Sequence, residues 1–177
     1  MVGLKVFVVD DDKSMVDIIC HHVSSLGCNV VGTASSRIEA VEKVGQSEPN
    51  VVLMDIKLGG AIDGIEAARE ILERYSTHVI YLTAYADDAI MVAAEKTLPY
   101  GYIVKPFSRD EIDRALKIAN NMIRFEQRIK DEQRKAQEDM RKLEVYRRKV
   151  LENHLQSIDE KKLASADAIR RHFIKQT

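Results

Sequence analysis

Five short runs rich in β-forming residues mark positions 5–104: Lys5–Val9, Asn29–Ala34, Val51–Met54, Val79–Leu82 and Gly101–Val104. Apolar runs of this length read as strands buried on both faces. Between them, Ser14–Leu26, Arg37–Ser47, Gly64–Tyr75 and Asp87–Thr97 carry apolar residues at helical spacing. In the first of these, Met15, Ile18, Ile19, Val23 and Leu26 recur at three- and four-residue steps, which places one stripe against a core. Gly27 follows as a C-cap, and Asp12 or Ser14 stands as the N-cap. Strands that alternate with helices predict right-handed crossovers and a single parallel sheet covered on both sides.

The pattern changes abruptly after Pro106. All 8 glycines and all 3 prolines of the 177-residue chain lie at or before that position. Residues 1–108 carry 9 basic and 15 acidic side chains, against 18 and 13 in residues 109–177. A segment without chain breakers should be almost wholly helical. Ser108-Arg109-Asp110-Glu111 forms a capping box that starts a helix. Met122, Ile129, Ala136, Leu143 and Val150 recur every seven residues, while the companion seam (Ala119, Glu126, Gln133, Met140, Arg147, His154) is mostly polar. One good stripe beside one polar stripe suggests a weak coiled coil or a signalling linker. A second capping box, Ser157-Ile158-Asp159-Glu160, predicts that the long helix ends near Gln156, about 70 Å from its start. The organisation expected is therefore a domain over residues 1–120 and a helical extension over 121–177, with a second helix at about 158–176.

No run approaches the roughly 18 apolar residues of a membrane helix. The first apolar stretch is too short for a signal peptide and meets Asp10-Asp11-Asp12 rather than a cleavage site. Cys20 and Cys28 make neither a disulfide framework nor a metal knuckle. A cytoplasmic location and no membrane partner are the expectations.

In an open parallel sheet, ligands bind at the carboxyl ends of the strands, near the point where strand order reverses. Asp10, Asp11 and Asp12 follow the first strand, Asp55 the third, Thr83 the fourth, and Lys105-Pro106 the fifth. Carboxylates gathered at one edge repel each other unless a cation sits among them, and oxygen-only ligands select a hard ion such as Mg²⁺. A carboxylate presented by a rigid strand end can attack phosphorus, with Lys105 as a fixed positive charge and Thr83 as a hydroxyl donor. The chain lacks a P-loop pattern, so a donor must deliver the phosphoryl group.

Val8-Val9-Asp10-Asp11-Asp12, Leu53-Met54-Asp55-Ile56, Asp63-Gly64-Ile65-Glu66-Ala67, Tyr81-Leu82-Thr83-Ala84-Tyr85 and Tyr102-Ile103-Val104-Lys105-Pro106-Phe107 together resemble the receiver domain of two-component response regulators. Any one of these motifs is weak; five in the family's order and spacing are specific. The resemblance implies a flavodoxin-like, doubly wound five-stranded parallel sheet of order 2-1-3-4-5. It implies Asp55 as phosphoacceptor, and Asp10, Asp11, Asp55 and the Lys57 backbone carbonyl as ligands of Mg²⁺. It implies Thr83 and Tyr102 as a switch pair, Lys105 as a phosphoryl contact, and a cis peptide before Pro106. Lys57 and Tyr85 match two positions that tune phosphoryl lifetime, and their bulk implies slow water access. A sensor histidine kinase is the implied partner. One loop departs from the common pattern: the step from Asp55 to Gly64 is nine rather than eight, with Gly59-Gly60 and no proline between them.

Plainer readings exist for each residue taken singly. Asp10–Asp12 alone would serve as a helix N-cap cluster, Thr83 would satisfy a backbone group, and Tyr102 would simply pack. His21, His22, His78, His154 and His172 have no HExxH or cysteine partnering, and His154 lacks the neighbours of a histidine phosphotransfer helix. Basic clusters such as Arg147-Arg148-Lys149 invite a DNA-binding alternative, but interspersed acids favour a solvated helix face. An aspartyl-phosphate phosphatase shares the carboxylate–lysine logic, yet would carry its nucleophile on the first strand. The leading expectation is a non-enzymatic phosphoacceptor that switches homodimerisation or partner binding through its C-terminal helix.

Overall fold

The computed structural model describes residues 3–60, 62–84 and 88–174, with side chains described as far as residue 166. Five strands alternate with five helices: β1 (Lys5–Val9), α1 (Lys13–Ser25), β2 (Asn29–Ala34), α2 (Arg37–Ser47), β3 (Val51–Asp55), α3 (Asp63–Arg74), β4 (His78–Thr83), α4 (Asp88–Glu95), β5 (Gly101–Val104) and α5 (Arg109–Ile174). The sheet has the order β2-β1-β3-β4-β5, and its four neighbouring pairs are all parallel. This is the flavodoxin-like arrangement of a receiver.

The strands lack polar alternation because each feeds two cores. Successive side chains point to opposite faces. Phe7, Val9, Val52, Met54, Val79 and Tyr81 pack with α2, α3 and Ala94 of α4. Val6, Val8, Leu53, Ile80, Leu82 and Ile103 pack on the other side with α1 and with Ile112, Leu116, Ala119 and Ile123 of α5. Every residue of β3 is buried, as suits the central strand of a sheet covered on both faces.

The caps fix the helix entries. Asp12 is the N-cap of α1, accepting hydrogen bonds from the backbone N–H groups of Ser14 at 2.9 Å and Met15 at 3.3 Å. At α5, Ser108 N–H donates to Glu111 at 2.7 Å, and Glu111 N–H reaches back to Ser108 Oγ at 3.4 Å. Both strands of interest extend one residue beyond the sequence expectation, so Asp55 and Thr83 are themselves strand-terminal.

The extension differs from expectation in one respect. The helix does not stop near Gln156: Ser157-Ile158-Asp159-Glu160 lies inside α5, which is continuous to Ile174, and no separate helix starts at 158. With no Gly or Pro to release the backbone, adding the next intrahelical hydrogen bond outcompetes a local side-chain cap. The chain forms two units, residues 1–125 and 126–177, rather than dividing at 120. Ala119 and Ile123 are buried against the sheet and keep this stretch of α5 in the first unit. In the second unit, Ile129, Met140, Leu143, Val150, Leu151 and Leu155 are all exposed. None of the described helices is long and apolar enough to cross a membrane.

Candidate functional site

The sheet's order reverses between β1 and β3, which leave in opposite directions to β2 and β4. A crevice opens at such a point, and Asp10 and Asp55 stand at the two strand ends that flank it. One carboxylate oxygen from each of Asp10, Asp11 and Asp55 lies within 4.8 Å of the others, the one such acidic, His or Cys group among the described residues. Asp10 is 1% exposed and Asp55 7%, while Asp11 faces solvent.

Lys105 closes the site from β5. Its backbone N–H donates to the Thr83 carbonyl at 2.7 Å, which aligns the ends of β4 and β5. Its ammonium lies 2.6 Å from Asp10 Oδ2 and 3.0 Å from Asp55 Oδ2. The peptide between Lys105 and Pro106 is cis. The Asp55 carboxylate also accepts from the Lys57 N–H at 3.4 Å, and Asp10 accepts from the Asp12 N–H at 3.0 Å.

These contacts decide the charge balance. Burial pushes the Asp55 carboxyl up, and its hydrogen bond to Lys105 offsets only part of that rise. Burial alone would pull Lys105 down, but hydrogen bonds to Asp10 and Asp55 outweigh it and hold the ammonium above its usual range. Lys105 thus pairs with two of the three converging carboxylates, Asp10 and Asp55. The residual negative charge and the all-oxygen donor set fit a small, hard divalent cation such as Mg²⁺.

The other sequence-selected residues take distinct places. Thr83 is buried at the end of β4, one residue beyond the Leu82 that pairs with Asp55. Tyr102 lies two residues earlier along β5, paired with Tyr81, and the two rings stack with centroids 5.9 Å apart. The Tyr102 hydroxyl is buried with no hydrogen-bond partner among the described residues. Lys57 exposes its side chain. Tyr85 lies outside the described residues. Asp12 serves the α1 cap and does not join the cluster.

Two features escaped the sequence reading. Lys105 bridges both buried aspartates directly, which a strand-end list cannot show. Gly64 approaches the end of β3 so closely that a Cβ there would lie 1.8 Å from the Asp55 carbonyl oxygen. The Asp-Gly step at the start of α3 was the available signal. The longer loop before it is fastened by buried Ile56 and Leu58, and Gly59 takes a left-handed φ of 82°. In the second unit, Arg134 pairs with Asp131 at 3.0 Å and Lys142 with Asp139 at 3.4 Å, as expected of a solvated helix face.

Comparison with known proteins places the fold in a family. Residues 6–117 match the response regulator receiver domain family. A protein-glutamate methylesterase/protein-glutamine glutaminase of Natronomonas pharaonis is 41% identical over 93 residues, which are 52% of this chain and 26% of that protein; the chain thus spans about a quarter of that relative. Among solved structures, the signal receiver domain of a modulated diguanylate cyclase from Desulfovibrio desulfuricans superposes with a TM-score of 0.65 at 29% identity, covering 69% of this chain and 97% of that one. The response regulator domain of Thermotoga maritima CheB gives 0.59 at 27% identity, covering 67% and 97%. The chain belongs to the response regulator receiver domain family.

Proposed function

We propose that this protein is a phosphorylation-controlled signalling switch whose acceptor is Asp55. The observation that carries this reading is the placement of the Asp55 carboxylate at a strand end, 3.0 Å from the Lys105 ammonium and beside Asp10 and Asp11. On this reading a sensor histidine kinase presents a phosphohistidine at the crevice. An Asp55 oxygen forms the new P–O bond as the N–P bond breaks, and the departing imidazole takes up a proton. Asp10, Asp11, Asp55 and the Lys57 carbonyl would hold Mg²⁺, which when bound supplies charge stabilisation for the phosphoryl oxygens. Lys105 turns its ammonium from the Asp55 carboxylate to a phosphoryl oxygen.

Thr83 then donates its hydroxyl to the phosphoryl group, which favours the state with the Tyr102 ring turned inward in a two-state equilibrium of the surface formed by α4, β5 and α5. Lys57 and Tyr85 govern water access to the phosphorylated carboxylate. The output is homodimerisation or partner binding through α5, whose exposed Ile129, Leu143 and Val150 lie seven residues or a multiple of seven apart. The protein works in the cytoplasm and is not an enzyme beyond its own phosphorylation and dephosphorylation. Incubation with a small-molecule phosphodonor and Mg²⁺ should label the wild type and leave Asp55→Asn unlabelled. Equal labelling of the variant would refute the assignment.

A further inference from the structure

Tyr81 makes a contact that the chemistry at Asp55 does not use. Its side chain is fully buried, and its hydroxyl lies 2.9 Å from Thr97 Oγ1. Thr97 Oγ1 donates to the Ala94 carbonyl at 2.7 Å. A hydroxyl has one proton to give, so Tyr81 is the donor to Thr97. Burial pushes the Tyr81 phenol up to about 12, so the donor proton persists at neutral pH. This bond ties the middle of the sheet to the end of α4, two residues past Glu95, where Leu98 turns the chain with a left-handed φ of 51°.

The same phenol is the floor beneath Tyr102. The two residues are paired in register, and their rings lie 27° from parallel. The Tyr102 ring is half-buried and stacks on Tyr81, and its hydroxyl finds no partner among the described residues, so packing against Tyr81 is one contact that holds the ring in place.

We infer that Tyr81 is a positioning residue of the switch: the inward Tyr102 ring sets the Tyr81 phenol, and the Tyr81–Thr97 hydrogen bond fastens α4 to that arrangement. The inference rests on the phosphoacceptor reading, since phosphorylation and the Tyr81–Thr97 bond must then favour the same state.

The test uses the full chain with Mg²⁺ and fluoroberyllate, a phosphoryl mimic. Tyr81→Phe and Thr97→Val should each weaken fluoroberyllate binding about fivefold, the factor for one ordinary hydrogen bond. The double variant should be no weaker than either single one, because both remove the same bond. Amide exchange at Lys96–Leu98 should quicken in the bound state of both variants, while β1 and β3 stay protected. Wild-type affinity in Tyr81→Phe, or penalties that multiply to about 25-fold in the double variant, would overturn the inference. If the wild type fails to bind fluoroberyllate, or Asp55→Asn binds it equally, the phosphoacceptor reading falls and takes this inference with it. Those failures appear without either Tyr81→Phe or Thr97→Val, so the two are told apart.

Discussion

A Cβ on Gly64 would lie 1.8 Å from the carbonyl oxygen of Asp55 and 2.9 Å from that of Ile56. The start of α3 is therefore packed directly on the backbone that carries the acceptor, and the Gly64 N–H donates to the Ile56 carbonyl at 3.0 Å. Both neighbours are main-chain atoms of the central strand or its exit, so no side chain can swing aside. Gly64→Ala should destabilise the fold by about 1–3 kcal/mol through overpacking and slow phosphorylation by displacing Asp55. Urea denaturation checks the first effect and labelling kinetics the second.

Lys105 holds two buried carboxylates at once. Lys105→Met keeps most of the stem but leaves Asp10 and Asp55 without their cation. Breaking one side of a buried ion pair costs about 3–5 kcal/mol, and the variant should lose stability on that scale at pH 7. A midpoint of chemical unfolding equal to that of the wild type would show that the bridge contributes little.

The raised Asp55 carboxyl has a signed consequence. Its ordinary value is 3.8, and burial lifts it in the folded chain. Between those two values the folded state holds more protons than the unfolded one, so stability falls as pH rises through that window. Above it, an ionised Asp55 is a standing cost. Asp55→Asn should remove that part of the pH dependence and be more stable than the wild type at pH 7, with the advantage vanishing below the ordinary carboxylate range. Paired denaturation curves across pH read the difference directly.

Much of this was legible in the sequence because the signals are local. Strand runs, helical stripes and the residue after each strand gave the sheet and placed Asp10, Asp55, Thr83 and Lys105 at one mouth. Two kinds of information were not local. The Lys105 bridge joins residues 95 and 50 positions apart, and the Tyr81–Thr97 bond depends on where α4 lands. The end of α5 was misjudged for a different reason. A capping box reports that a helix can start, and only a neighbouring breaker decides that the previous one stops.

The second unit carries a prediction of its own. Ile129, Leu143 and Val150 are exposed on a single helix, an arrangement that association of a second copy would relieve. Sedimentation of the full chain should show a dimer. Leu143→Lys should shift it toward monomer without altering phosphorylation of Asp55. A monomer at all concentrations in the wild type would contradict the homodimer reading of this stripe.

The account turns on the chemistry of one side chain, and reductive trapping tests it most directly. After treatment with a small phosphodonor and Mg²⁺, borohydride should convert a phosphorylated Asp55 to homoserine, read in the peptide that spans β3. Trapped homoserine at position 55 and at no other aspartate is the predicted result. An unmodified position 55, or trapping at Asp10 or Asp11 instead, would contradict it.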